Sequence, residues 1–468
     1  MKPLRLSEIA RMTGGRLHGE DAVVAAVVTD TRALADAREA LFVALKGERF
    51  DGHDHVAAAA TAGVAGALVS RPIDAALPQV VVADTERALA AFATAVQRER
   101  GATITLAITG SSGKTSVKNL TIAILDRAGR AYATPGNRNN EIGMPLAVLA
   151  APEDAQFAVY EMGTGAPGDI AYLTAIAPAR VALVNNVAPA HLERMGSLLA
   201  IADTKAAVYD SLPPDGVAVI NADDAFAPYF AQRAHGRRLI RFGLDASADV
   251  SAREIRLGEE GSSFVLTTPQ GEAAIALEIP GRHNVRNALA AASLALGAGV
   301  ALDVIAAGLN AARPVSGRLV THRLRSGAVL IDDSYNANPG SVAAAIDTLA
   351  DATAHGRAGE GWLVLGDMRE LGPDGAAMHA EAGRRAKGAG LKRLYALGAL
   401  SAEAARAFGD GATHYDSHDA LAKALAAELR EGVRALVKGS RGSAMDKIVT
   451  ALLASDASPD GEESTHAA

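Results

Sequence analysis

Residues 108–118, ITGSSGKTSVK, combine the residue types that hold a polyphosphate. Gly110 and Gly113 permit a tight turn, with Ser111 and Ser112 between them, that aims backbone N–H groups at phosphate oxygens. Lys114 adds a mobile positive charge, and the hydroxyl of Thr115 suits a Mg²⁺ ion. An apolar run at 103–108 precedes the turn and a helical stretch follows it, so a positive helix terminus faces the same anion. The common nucleotide loop carries its first glycine where this chain has Ile108, which makes this the shorter T-G-x-x-G-K-T form.

Other polar residues stand at the ends of apolar runs. Glu161 closes AVYE before MGTG, placed either to hold Mg²⁺ or to face solvent as a strand-end carboxylate. His191 follows NNVAPA just past another strand, where a ligand or a structural histidine would both fit. Lys205 lies about two turns into a helix that Ser197 could cap; a lysine on such an apolar face ordinarily snorkels to water. In GRHNVRNALAAA, Asn284 and Asn287 share a helix face and could present amides to a base or phosphates, although Asn284 could equally cap the helix. Arg318, in GRLV, could grip a phosphate in a bidentate way or serve as a plain surface arginine. The run IDDSYNANPGS gathers Asp333, Tyr335, Asn336 and Asn338 ahead of Pro339, a residue suited to a first helical turn. LGDMRELG and VKGSRGS follow later strands and point to the same edge.

Strands ending side by side must position these groups, and the pattern supplies them. Apolar runs at 103–108, 158–161, 181–185 and 217–220 alternate with helix-length segments, as in a parallel sheet covered on both faces. Ligands of such sheets bind beyond the carboxyl ends of the strands. A further βαβ series begins near Pro314, with strands at 328–331, 362–365, 394–397 and 435–437, and resembles a dinucleotide-type fold. The first 84 residues carry the signatures TDTR and KGERFDGH, and Asp84 is placed to cap a helix through about Gln97. The expected fold is α/β in three domains, 1–84, 85–312 and 313–454, followed by a polar disordered tail, 455–468.

Composition removes several classes. The 46 basic and 53 acidic residues give a net charge of -7, which argues against a nucleic-acid partner held by bulk charge. The absence of cysteine excludes disulfides, thiolate nucleophiles and Cys-ligated zinc. MKPLRLSEIARMTGG lacks the apolar core of a signal peptide, and 56–69 is too short and weakly apolar to span a bilayer. A cytoplasmic chain without membrane insertion is expected.

The segments TGSSGKT, NRNNEIG, EMG, AHLERMGS, Lys205, HNVRN, SGR, DDSYNANP, LGDMRELG and KGSRGS occur in the order of the Mur ligase family, which the chain resembles over nearly its whole length. Mur ligases are ATP-dependent amide-forming enzymes of bacterial peptidoglycan synthesis. YNANP and the DTR…LFVALKGERFDGH pattern resemble the branch that adds D-alanyl-D-alanine to UDP-N-acetylmuramoyl-tripeptide; relatives that add diaminopimelate or lysine have a histidine-containing sequence at the YNANP position.

The resemblance implies a small α/β UDP-binding domain, a central P-loop ATPase-type parallel sheet and a C-terminal Rossmann-like domain for the dipeptide. It implies ATP on Gly110, Ser111, Ser112, Gly113, Lys114 and Thr115, assisted by Asn284, Asn287, Arg318 and Asp333. Two Mg²⁺ ions are implied, one on Thr115 and Glu161, one on His191 and a carbamylated Lys205. Lys114, His191, Lys205 and Arg318 are the implied catalytic residues. Thr29, Asp30, Thr31, Arg32, Lys46, Asn139, Asn140, Tyr335, Asn336 and Asn338 are the implied substrate contacts, with the last three on the dipeptide side. A monomer in the bacterial cytoplasm is expected. Two rival readings are another carboxylate–amine ligase, such as a folylpolyglutamate synthetase, and a P-loop switch or motor ATPase. Neither accounts for both YNANP and a UDP-type first domain.

Overall fold

The computed structural model describes residues 1–33, 38–47, 50–189, 192–258, 260–315, 317–353 and 359–457. Its central sheet has six parallel strands in the order Arg238–Phe242, Val217–Asn221, Val181–Val184, Ile104–Thr109, Phe157–Glu161 and Ala131–Ala133. The four inner strands are nearly solid aliphatic runs because both of their faces are covered. On one face Leu106, Ile108 and Val159 meet Val117 and Ile124 of helix Lys114–Ala128 and Ala291 of helix Arg282–Gly297. On the other, Ala107, Ala158 and Ala182 share a core with Phe92 of helix Thr85–Glu99 and Ala202 of helix Leu198–Asp210. Asp84 caps helix Thr85–Glu99, accepting from the N–H groups of Glu86 and Arg87.

The N-terminal sheet has five strands in the order Arg16–His18, Gln79–Val81, Gly66–Val69, Ala40–Val43 and Ala26–Val28, with only the Arg16–His18 pairing antiparallel. Leu6, Ile9 and Leu68 from this region join the same buried cluster as the central Ala107 face. The C-terminal sheet runs Val320–Arg323, Val329–Asp333, Val433–Lys438, Glu360–Gly366, Arg393–Leu397 and Ala412–Tyr415, parallel except at the Val320–Arg323 edge.

Two features differ from the sequence expectation. A three-stranded antiparallel sheet, Ser251–Leu257, Ser262–Thr268 and Gly271–Leu277, interrupts the strand–helix repeats. Phe264, Leu266, Ile275 and Leu277 face the core while intervening residues are more exposed, the one-sided pattern of an antiparallel sheet. The last helix, Asp446–Ala457, takes in the first three residues of the expected tail; 458–468 lie outside the described residues. Among the described residues no helix is long and apolar enough to cross a membrane.

Candidate active site

The strand Ile104–Thr109 ends, the chain turns, and helix Lys114–Ala128 starts directly after Gly113. Gly113 has φ 76°, and a Cβ there would lie 2.6 Å from Asn185 Nδ2 and 2.7 Å from Asn287 Oδ1. Both its conformation and its neighbours therefore favour glycine. The adjacent strand splints the loop. Ser111 donates its N–H to the Asn186 carbonyl (3.0 Å), and Ser112 N–H donates to Asn186 Oδ1 (2.9 Å). Asn185 Nδ2 donates to Ser112 O (3.1 Å) and to Asn287 Oδ1 (3.3 Å). Lys114 Nζ donates across the loop to Gly110 O at 2.6 Å. Burial lowers the pKa of Lys114; Glu161 opposes that shift and Arg318 reinforces it.

Parallel pairing sets Glu161 level with Ile108, beside the loop. Its Oε2 accepts from Thr115 Oγ1 at 2.9 Å and faces Lys118 Nζ at 3.2 Å, and its Oε1 accepts from Asn139 Nδ2 at 2.8 Å. Burial pushes this carboxyl up, but Lys118, Lys114 and the bonds from Asn139 and Thr115 outweigh it and hold the pKa below the usual glutamate value. Lys118 Nζ also donates to Thr134 O (2.9 Å) and Gly136 O (3.0 Å), tying the phosphate-loop helix to the segment that leads to Asn139 and Asn140. A hydroxyl and an ionised carboxylate at the loop suit Mg²⁺, which commonly takes one or two carboxylates with phosphate oxygens and water. Among the described residues no three or more His, Asp or Glu side chains gather into a metal cage.

The C-terminal region closes this site. Arg318 Nη2 donates to Thr115 Oγ1 at 2.9 Å, its guanidinium lies over the Tyr335 ring at 4.5 Å, and Asn338 Nδ2 donates to Ser111 O at 3.2 Å. Lys438 Nζ meets Asp333 Oδ2 at 2.6 Å and donates to Asn336 O at 3.0 Å. Ser440 Oγ donates to Ala337 O and accepts from Arg369 N–H, so YNANP, LGDMRELG and KGSRGS converge at one sheet edge. Asn284 is not a cap, because Gly281 occupies that position and Asn284 is the third helical residue. Its Nδ2 donates to Pro280 O, and Asn287 Nδ2 donates to Asn284 Oδ1 at 3.1 Å, with both amides buried. His283 beside them is held down to about 4, first by burial and then by Lys438 and Arg286.

These groups face one cavity of about 810 Å³. Its wall includes Ser111 to Thr115, Asn139, Asn140, Glu161, Asn284, Asn287, Arg318, Asp333, Tyr335, Asn336 and Asn338. The volume is at the large end for a small-molecule site, enough for a nucleotide and part of a second substrate.

Of the remaining expected residues, the described ones are not part of this wall. Lys205 is buried on helix Leu198–Asp210, which Ser197 does cap. Burial, then the charge of Lys114, pushes its pKa well below the ordinary lysine value. His191 lies outside the described residues. Asp30 and Arg32 bond each other, with Nε and Nη2 of Arg32 at 2.9 and 2.6 Å from Asp30 oxygens, beside Thr29 and Thr31. Lys46 is exposed and bridges to Asp51 through the backbone. Sequence reasoning passed over Lys118, Lys438 and the Asn185–Asn186 pair. The signal for Lys118 was its place one turn beyond Lys114 on the same helix face.

The chain is similar to known proteins over nearly its whole length. Residues 108–295 match the Mur ligase middle domain and 317–441 the Mur ligase, glutamate ligase domain. The UDP-N-acetylmuramoyl-tripeptide--D-alanyl-D-alanine ligase of Escherichia coli strain K12 is 42% identical over 456 residues, covering 97% of this chain and 99% of that protein. A crystal structure of MurF from Acinetobacter baumannii superposes with a TM-score of 0.90 at 32% identity, covering 97% and 99%. MurF ligase from Thermotoga maritima in complex with ADP gives 0.80 at 26% identity, covering 91% and 96%. With the phosphate loop, its carboxylate partner and the closing arginine all set in the matched domains, the chain belongs to the Mur ligase family.

Proposed function

We propose that this enzyme joins D-alanyl-D-alanine to UDP-N-acetylmuramoyl-tripeptide, converting ATP to ADP and phosphate. The observation that carries the reading is the junction at Thr115, whose single hydroxyl bonds both Glu161 and Arg318. The metal-binding side of the phosphate loop and the cation of the C-terminal region thus meet at one atom. In this reading ATP lies along residues 110–115, Lys114 offsets phosphate charge, and Asn284, Asn287 and Asp333 hold the rest of the nucleotide. The terminal carboxylate of the tripeptide attacks the γ-phosphorus, giving an acyl phosphate and ADP. The dipeptide amine then adds to the acyl carbon, and phosphate leaves with the former carboxylate oxygen. A free carboxylate cannot be displaced at neutral pH because oxide is a poor leaving group, so the phosphoryl transfer is what makes amide formation feasible. The protein's part is positioning and charge neutralisation.

Mg²⁺ would supply Lewis-acid neutralisation of the phosphate oxygens, with one ion on Thr115 and Glu161 and a second on His191 and carbamylated Lys205. Only a neutral amine adds CO₂, and the burial of Lys205 favours that form. Thr29, Asp30, Thr31, Arg32 and Lys46 take the UDP moiety on a domain spanning 1–84, Asn139 and Asn140 contact substrate on the central domain, 85–312, and Tyr335, Asn336 and Asn338 take the dipeptide on 313–454. The enzyme acts as a monomer in the bacterial cytoplasm. The test is phosphate release with ATP, Mg²⁺, UDP-N-acetylmuramoyl-tripeptide and D-alanyl-D-alanine, each omitted in turn. Release that needs both acceptor and dipeptide is expected. Steady release without the dipeptide would move the enzyme to the ATPase reading.

A further inference from the structure

The cavity wall also holds a guanidinium that the phosphate chemistry leaves unused. Arg441 opens the short turn Arg441–Ser443 after the strand Val433–Lys438 and faces the same cavity as the phosphate loop. Its backbone N–H donates to Asn336 Oδ1 at 3.4 Å, and its guanidinium carbon lies 5.7 Å from the Tyr335 ring centroid. Arg318 stands over the same ring at 4.5 Å. The two guanidinium carbons are therefore separated by no more than those distances laid end to end, about 10 Å. Lys438, a second cation of this edge, is buried against Asp333. Arg441 instead pairs at 3.2 Å with Asp446, both side chains open to solvent, and an exposed pair of this kind exchanges readily.

We propose that Arg441 binds the free carboxylate of the dipeptide. The inference rests on the ligase reading above, in which the reacting phosphoryl group lies at Arg318. An extended residue spans about 3.3–3.6 Å, so a dipeptide reaches about 7 Å from amine to carboxylate and a single amino acid about half that. With its amine a few ångströms from Arg318, a dipeptide is long enough to place its carboxylate on the fork of Arg441. The carboxylate would replace Asp446 in a bidentate pair. Tyr335, contacting both guanidinium groups through its ring, is the positioning residue between them.

The test is steady-state kinetics on the full chain and on Arg441→Met with D-alanyl-D-alanine and its C-terminal amide. Arg441 is solvent-open, so its loss leaves the core intact. In the unmodified enzyme the amide should have a KM about 10- to 100-fold above the acid, the worth of a charge-assisted bond. In Arg441→Met the KM for the acid should rise to that of the amide, with the KM values for ATP and UDP-N-acetylmuramoyl-tripeptide unchanged. Arg441→Lys should recover part of the preference, having the charge without the fork. A methionine variant that still prefers the acid by the original factor overturns the assignment, as does a parallel rise in all three KM values. If the unmodified enzyme makes no product with the dipeptide but does with another amine, the ligase reading fails and the assignment falls with it.

Discussion

The phosphate loop and the TDTR turn of the first sheet are both short polar segments at strand ends, yet their side chains behave differently. Around the loop, Thr115, Glu161, Lys118, Asn139 and Arg318 converge from four separate segments on a few atoms, with Glu161 and Lys118 buried and the other three half-buried. At the turn, Asp30 and Arg32 satisfy each other locally, and the arginine side chain is 89% exposed. Convergence of distant residues under burial is costly to assemble unless a ligand uses it. A local pair carries no such implication and can be opened by an incoming substrate.

That contrast is sharpened by substitutions of graded effect. Lys114→Met, which removes the phosphate-facing charge, should lower kcat/KM by at least about 10²- to 10³-fold with little change in the unfolding curve. Lys118→Met leaves Glu161 without its buried cation and should destabilise the central region by about 3–5 kcal/mol in urea unfolding. A neutral result there would mean that the pair is not the strut described. Lys205→Ala should lower activity about 100-fold, with partial recovery on adding formate or another short carboxylate. A fully active variant would remove the carbamate from the account. Arg32→Gln should leave the unfolding midpoint unchanged while raising the KM for the UDP-linked substrate about 10-fold. An unchanged KM would assign the turn a local role only.

A further effect is one of pH. Burial holds His283 near 4, below its free value of 6.5, so between those values the unfolded chain binds more protons than the folded one. Stability should therefore fall as pH drops through that window and level off below it. His283→Gln should flatten this slope, which unfolding at about pH 7 and about pH 5 would reveal.

How far the sequence anticipates this molecule depends on the kind of signal each part carries. The inner strands were legible because double coverage makes them solid aliphatic runs, and the loop because Gly110, Gly113, Lys114 and Thr115 stand in order between an apolar run and a helix. The antiparallel insert was not, since its strands alternate Ser, Thr, Ala and Glu with hydrophobic residues on one face and read as connecting segments. Asn284 shows a different loss: a residue type that favours caps was drawn inside the helix by an amide chain with Asn287 and Pro280. Lys438 was invisible as a functional candidate because a lysine advertises its partner only once the fold has buried it there, and Lys118 was marked only by its place one turn beyond Lys114.

The proposed reaction activates a carboxylate by phosphorylation. It is tested most directly by following ¹⁸O from the terminal carboxylate of labelled UDP-N-acetylmuramoyl-tripeptide during turnover with ATP and D-alanyl-D-alanine. One labelled oxygen in each phosphate released is the predicted result, because the carboxylate oxygen departs with the phosphoryl group. Phosphate free of label would mean that water, not the carboxylate, attacks the nucleotide, and would contradict the mechanism.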